Sequence, residues 1–161
     1  MRKIFGIIFF SIFLFLIEIA LFQIFGLWFK PNLLVIFIIF VNLRFGLRYG
    51  VFVSLFCGIL ADSFSAGIFG VHIISFIICS YILAIVKKYF LQFDALSFKL
   101  VIAFVFSSLF VLLMYFFNAM FLKINFSGVF TFIFLPEVAA TVAVSPLCFD
   151  WFKKCDSKLL N

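Results

Sequence analysis

The chain has 161 residues, 68% of them hydrophobic and 11% charged, with a formal net charge of +6. A soluble domain of this size keeps much of its surface in water, so a mean hydropathy of +1.43 excludes one and makes the bilayer the solvent. Apolar runs of roughly 20 residues, without the alternating segments of about 10 residues that build a barrel, set the class as an all-α integral membrane protein. The first segment, 4–28, follows Met1, Arg2 and Lys3. It exceeds the roughly 7–15 apolar residues of a signal peptide and lacks a clean small-x-small cleavage site, so it reads as an uncleaved first helix. It ends at Trp28, Phe29 and Lys30, an aromatic and basic interface anchor, and Pro31 suits the first turn of the next helix.

Further helices are expected over 31–48, 50–63, 67–86, 99–122 and 127–149, all within one transmembrane domain spanning 1–161. Arg44 and Arg48 are then one turn apart on one helical face and can snorkel to the interface. Six spans place both termini on one side. If that side is the cytoplasm, it collects Arg2, Lys3, Arg44, Arg48, Lys87, Lys88, Lys99, Lys153, Lys154 and Lys158, ten of the twelve basic residues. Only Lys30 and Lys123 fall outside, as the positive-inside rule requires, whereas five spans spoil the sorting. The net charge therefore reports topology, and nucleic-acid binding has no other support. The connection over residues 87–98, with Tyr89, Phe90 and Phe93 flanked by Asp94 and Lys99, reads as a short amphipathic stretch in the interface.

The polar residues inside these spans need a reason, because they are costly in lipid. The densest run is Gly58-x-x-x-Asp62-x-x-Ser65-x-x-x-x-Gly70, with Gly67 inside it, at the outer end of a helix 3–4 hairpin. Asp62 or Ser65 can cap the free amides of the fourth helix and complement its dipole, while Gly67 and Gly70 permit a tight turn. Glu18 and Glu137 read as protonated or hydrogen-bonded carboxyls sealing helix contacts, the competing reading being a proton or substrate site. Glu137, Thr141, Ser145 and Cys148 share one face of the last helix, with Ala139 and Ala143 as a small-x-x-x-small pair beside it. Pro136 lacks an amide hydrogen, so a kink and a freed carbonyl are expected there. Ser108, Tyr115 and Asn118 line one side of the fifth helix, and His72, Ser75 and Cys79 one side of the fourth. His72 reads as a hydrogen-bonded structural residue.

Cys57, Cys79, Cys148 and Cys155 contain no C-x-x-C pair and are accompanied by a single His, so neither a disulfide framework nor a metal or other cofactor is expected. No G-x-S-x-G, H-E-x-x-H, Walker loop or paired-Glu protease pattern is present, which argues against an enzyme.

The order of these features resembles the rod shape-determining MreD family. The resemblance rests on the chain length, the basic N-terminus, Pro31-Asn32-Leu33-Leu34-Val35 opening a helix, and the link Arg44-Phe45-Gly46-Leu47-Arg48-Tyr49-Gly50. The Gly58, Asp62, Ser65, Gly70 pattern and Pro136 in the final helix complete it; the 31 Phe residues depart from the Leu- and Ala-rich family average. It implies a non-enzymatic, multi-pass subunit of the bacterial cytoplasmic membrane, working with MreC, MreB, RodA and a class B penicillin-binding transpeptidase in peptidoglycan synthesis and cell shape. Gly58, Asp62, Ser65, Gly67, Gly70, Arg44, Arg48, Pro136 and Glu137 are its structural or partner-contact candidates. The family is similar in fold to the vitamin-binding S-components of energy-coupling-factor transporters, which are the alternative. Those usually carry Ala-x-x-x-Ala on the first helix, where this chain has only Ala20.

Overall fold

The computed structural model describes residues 2–26, 30–65, 67–90, 96–122 and 129–159. They form six helices and, among the described residues, no strand: α1 (Arg2–Phe25), α2 (Leu33–Phe45), α3 (Leu47–Phe64), α4 (Val71–Phe90), α5 (Leu96–Leu122) and α6 (Val129–Leu159). Four contain stretches long and apolar enough to cross a membrane, over Ile4–Phe25, Leu47–Phe64, Val71–Lys88 and Leu100–Met120. The anchor at Trp28 and Phe29, Asp94 with the centre of the interfacial connection, and Lys123 lie outside the described residues.

The exception in length is α2, whose 13 residues rise only about 20 Å against a hydrocarbon core of about 30 Å. Every residue from Leu33 to Asn42 is buried, and α2 packs against each of the other five helices. A short helix is tolerated there because protein, rather than water, surrounds it and can answer its free backbone ends. The aliphatic and aromatic composition that reads as lipid-facing is, for this segment, the centre of the bundle. Rings from three helices close its lower half: Phe37 lies 5.2 Å from Phe10 and 5.5 Å from Phe152, and Phe40 lies 5.3 Å from Phe152. Phe10 also meets Trp151 at 5.3 Å, so the start of α1 and the end of α6 share one end of the bundle.

The boundary between the second and third helices falls at Gly46, not near Gly50. Gly46 has φ +87°, a left-handed conformation natural to glycine, and its amide donates to Asn42 O at 3.0 Å to close α2. Because α3 starts at once, Arg44 and Arg48 sit on different helices and are not one turn apart on a common face; both are exposed at this elbow. Gly50 is inside α3, where a Cβ would come within 2.7 Å of Asn42 Cγ and 2.9 Å of Ser80 Oγ. Through that gap the Asn42 amide donates to Ser80 O at 2.7 Å and Ser80 Oγ at 2.8 Å.

Lys87 closes the end of α2 from outside, donating to Leu43 O at 2.6 Å and Asn42 O at 3.3 Å. A cation on the last carbonyls also opposes the negative end of the helix dipole. Lys87→Met, which keeps the stem, is expected to cost about 1–2 kcal/mol, read as a lowered midpoint in thermal unfolding of the detergent-solubilised protein. An unchanged midpoint would show that water caps this end equally well.

The last helix runs to Leu159, ten residues past the expected end, and carries two internal prolines, Pro136 and Pro146. Pro146 leaves Val142 O without its helical amide donor, and Ser145 Oγ supplies one at 2.8 Å. Ser145 thus serves its own helix. Ala139 and Ala143, expected to admit a neighbouring helix, are exposed on the outside of α6.

Candidate functional site

The carboxylates Glu18, Asp62 and Glu137 gather at two helix starts at the end opposite the Lys87 cap. The first is the start of α2. Pro31 has no amide hydrogen, so the donors to be satisfied begin at Asn32. Asn32 N donates to Thr141 Oγ1 at 2.9 Å, and the Thr141 hydroxyl in turn donates to Glu137 O at 2.7 Å. Glu18 Oε2 accepts from Leu33 N at 3.1 Å and Leu34 N at 3.4 Å, and Asn32 Oδ1 accepts from Val35 N at 3.0 Å. Helix α2 is therefore capped by its own Asn32 and by side chains of α1 and α6. The Glu137 carboxyl is buried beside the Asn32 side chain. The Lys30 ammonium sits over the Phe22 ring at 5.8 Å.

Asn32, not Pro31, holds the N-cap position, which moves the start of the helix two residues beyond the expected one. An Asn followed by an unbroken apolar run was a legible N-cap signal. What sequence spacing could not reveal is that Glu18 and Thr141, from 14 residues upstream and 109 downstream, would be recruited to the same turn. Glu18→Gln keeps one acceptor oxygen for Leu33 N and Leu34 N, whereas Glu18→Ala leaves both amides buried without that acceptor. Alanine is expected to cost about 2–3 kcal/mol and glutamine under about 1 kcal/mol, measured as thermal stability in detergent. Equal loss from both variants would point to a requirement for the charge.

The second convergence is at the start of α4. Asp62, on the last turn of α3, is buried, and four donors meet its two oxygens. Oδ2 accepts from Gly70 N at 2.9 Å and Ile73 N at 3.2 Å; Oδ1 accepts from His72 N at 3.1 Å and lies 2.8 Å from His72 Nδ1. Gly70 has φ +102°, which turns its amide toward the carboxylate in a backbone region that side chains disfavour. The helix begins at Val71 rather than at 67, so Gly67 and Gly70 belong to the connecting turn. Ser65 does not reach α4: its hydroxyl accepts from Gly67 N at 3.1 Å. Gly58, one turn before Asp62, marks the closest approach of α3 and α4, since a Cβ there would lie 2.5 Å from Ile73 Cα.

The candidates thus separate. Asp62, Gly58 and Gly70 join in one hairpin, Glu137 joins the start of α2 with Glu18, and Arg44 and Arg48 lie at the far end. Pro136 is half-buried next to Glu137. Among the described residues, no group of three or more His, Cys, Asp or Glu side chains could hold a metal ion. His72 is bound to Asp62, Ser75 is buried, and Ser108 donates to Val105 O of its own helix at 2.9 Å.

A six-helix bundle, four of whose helices can cross a bilayer and in which the Glu18 and Asp62 carboxylates cap the starts of neighbouring helices, is a polytopic membrane protein. Residues 1–155 match the family model of the rod shape-determining protein MreD, and the chain belongs to that family. No curated protein and no solved structure matches it.

Proposed function

We propose that this MreD-family protein is a non-enzymatic scaffold of the cell-elongation machinery in the bacterial cytoplasmic membrane. In this reading it binds MreC and, directly or through it, helps MreB, RodA and a class B penicillin-binding transpeptidase direct peptidoglycan synthesis. Both termini face the cytoplasm. The observation that carries the scaffold reading is the use made of polar groups: the Asp62 carboxylate, Asn32 and one oxygen of Glu18 are engaged by backbone amides. Groups so engaged hold helices in register and are poorly free to take part in bond making. The topology is supported by Arg44, Arg48, Lys87, Lys88, Lys153 and Lys154, which the packing of α2 on Lys87 and of Phe40 on Phe152 gathers toward one end.

Depletion of the protein should turn rod-shaped cells round and disperse sites of new wall insertion, and MreC should copurify with the tagged chain from detergent extracts. Unchanged shape and wall insertion after verified depletion would overturn the reading. So would retention of a vitamin by the purified protein at high affinity, which would move it to transport.

A further inference from the structure

The outward face of α4 carries a feature that lipid does not explain. Ile74, Tyr81, Ile85 and Lys88 recur at spacings of seven, four and three, so they share one face. Ile74, Tyr81 and Ile85 are 47%, 57% and 45% exposed, and Lys88 is exposed too. The opposite face, with Phe76, Cys79, Ser80 and Leu83, is buried against the bundle. Tyr81 stands ten residues after Val71 and seven before Lys88, about 15 Å and about 10 Å along the axis of a membrane-crossing helix. Side chains lean toward the helix N-terminus, so the phenol points away from the basic end and toward mid-membrane.

Among the described residues the Tyr81 hydroxyl has no hydrogen-bond partner, and neither has the Lys88 ammonium. Tyrosine normally sits at the bilayer surface, where its hydroxyl is wet, and a bare hydroxyl in hydrocarbon is costly. A neighbouring helix that supplies a partner group removes that cost.

We infer that this face of α4 docks a transmembrane helix of a different protein, which places a hydrogen-bonding side chain against Tyr81 and an acidic residue, at its cytoplasmic flank, against Lys88. Charge decides against a second copy of this chain as the occupant. A two-fold contact through this face brings Lys88 against its own mate in the region where basic residues already gather, whereas an acidic flank neutralises it. The inference rests on the scaffold reading, because a scaffold needs a face for its partner, and it assigns that face.

The test uses the full-length chain in intact membranes with a photo-crosslinking residue replacing Ile85, which leaves Tyr81 and Lys88 in place. The comparator carries the same probe at Phe104, 55% exposed on α5. The Ile85 probe should form an adduct at least tenfold stronger than the Phe104 probe. Its site should map within a single membrane-spanning segment that has a polar side chain at mid-depth and Asp or Glu at its cytoplasmic flank. Tyr81→Phe in the Ile85-probe background should lower the adduct about fivefold, and Lys88→Glu should lower it further. Adducts with lipid alone, adducts between two copies, or equal labelling by both probes would overturn the inference, as would an adduct indifferent to Tyr81→Phe. Identification of the captured helix bears separately on the proposed function. If it belongs to a protein other than MreC, the docking face stands and MreC binding, which copurification tests on its own, is assigned to another face.

Discussion

Asp62→Ala is expected to reduce the folded protein in the membrane severalfold and to destabilise the purified chain by about 3 kcal/mol. The substitution strips the acceptor from Gly70 N, His72 N and Ile73 N at once, and from the His72 ring. A buried donor left unpaired costs about 1–3 kcal/mol, and the negative charge at a helix start adds about 0.3–1 kcal/mol. The sum is tempered because Gly70, His72 and Ile73 are only half-buried, so water can serve some of these amides once the carboxylate is gone. Asp62→Asn separates the contributions. One amide oxygen still accepts, but the amino group that replaces the second oxygen faces donors, so Asn should recover less than half of the loss. Abundance by quantitative blotting and unfolding midpoints in detergent would read both effects. Normal abundance and stability with lost partner binding would instead make Asp62 a contact residue.

The sequence exposed this carboxylate because a charge within an apolar chain stands out, and the capping argument pointed to the start of α4. It did not distinguish Asp62 from Ser65, since both precede that helix by a plausible distance. The distinction is one of direction: Asp62 lies on the α3 face that packs against α4, whereas Ser65 is exposed and already engaged with Gly67 N. The number of helices was legible from apolar length and basic punctuation. The depth of α2 was not. A run such as Leu33 to Val41 looks alike whether lipid or protein surrounds it, because Ile, Leu and Phe suit both environments.

The same ambiguity hid the lower lock. Asn42, Ser80 and Lys87 gain meaning only when α2 and α4 are adjacent, and that pairing has no local signature. Their clue was compositional: Asn42 is the one amide within Leu33–Phe45, as Glu18 is the one carboxylate in the first apolar segment. Polar residues in a span identify contacts more reliably than they identify chemistry. Here Glu18 and Lys87 place an acid at the start and a base at the end of a single buried helix, in the sense its dipole favours.

Gly58→Ala should be nearly as damaging as Asp62→Ala, through the same hairpin. The added methyl would lie 2.5 Å from Ile73 Cα and 2.9 Å from Ile73 N, and backbone atoms cannot rotate aside as a side chain can. Relief requires the helices to separate by roughly an ångström, an overpacking cost of about 3 kcal/mol. Ile73 N also donates to Asp62 Oδ2 at 3.2 Å, so that movement carries this bond past the limit of useful geometry. The four-residue spacing of Gly58 and Asp62 then has a physical reason: both occupy one face of α3, the glycine setting the distance at which the carboxylate reaches α4. A double-mutant cycle tests the coupling. Because the alanine at 58 already weakens the cap, Gly58→Ala with Asp62→Ala should cost at least about 1 kcal/mol less than the sum of the single variants. Additivity within about 0.5 kcal/mol would mean that close approach and capping are independent, and that the spacing reflects packing alone.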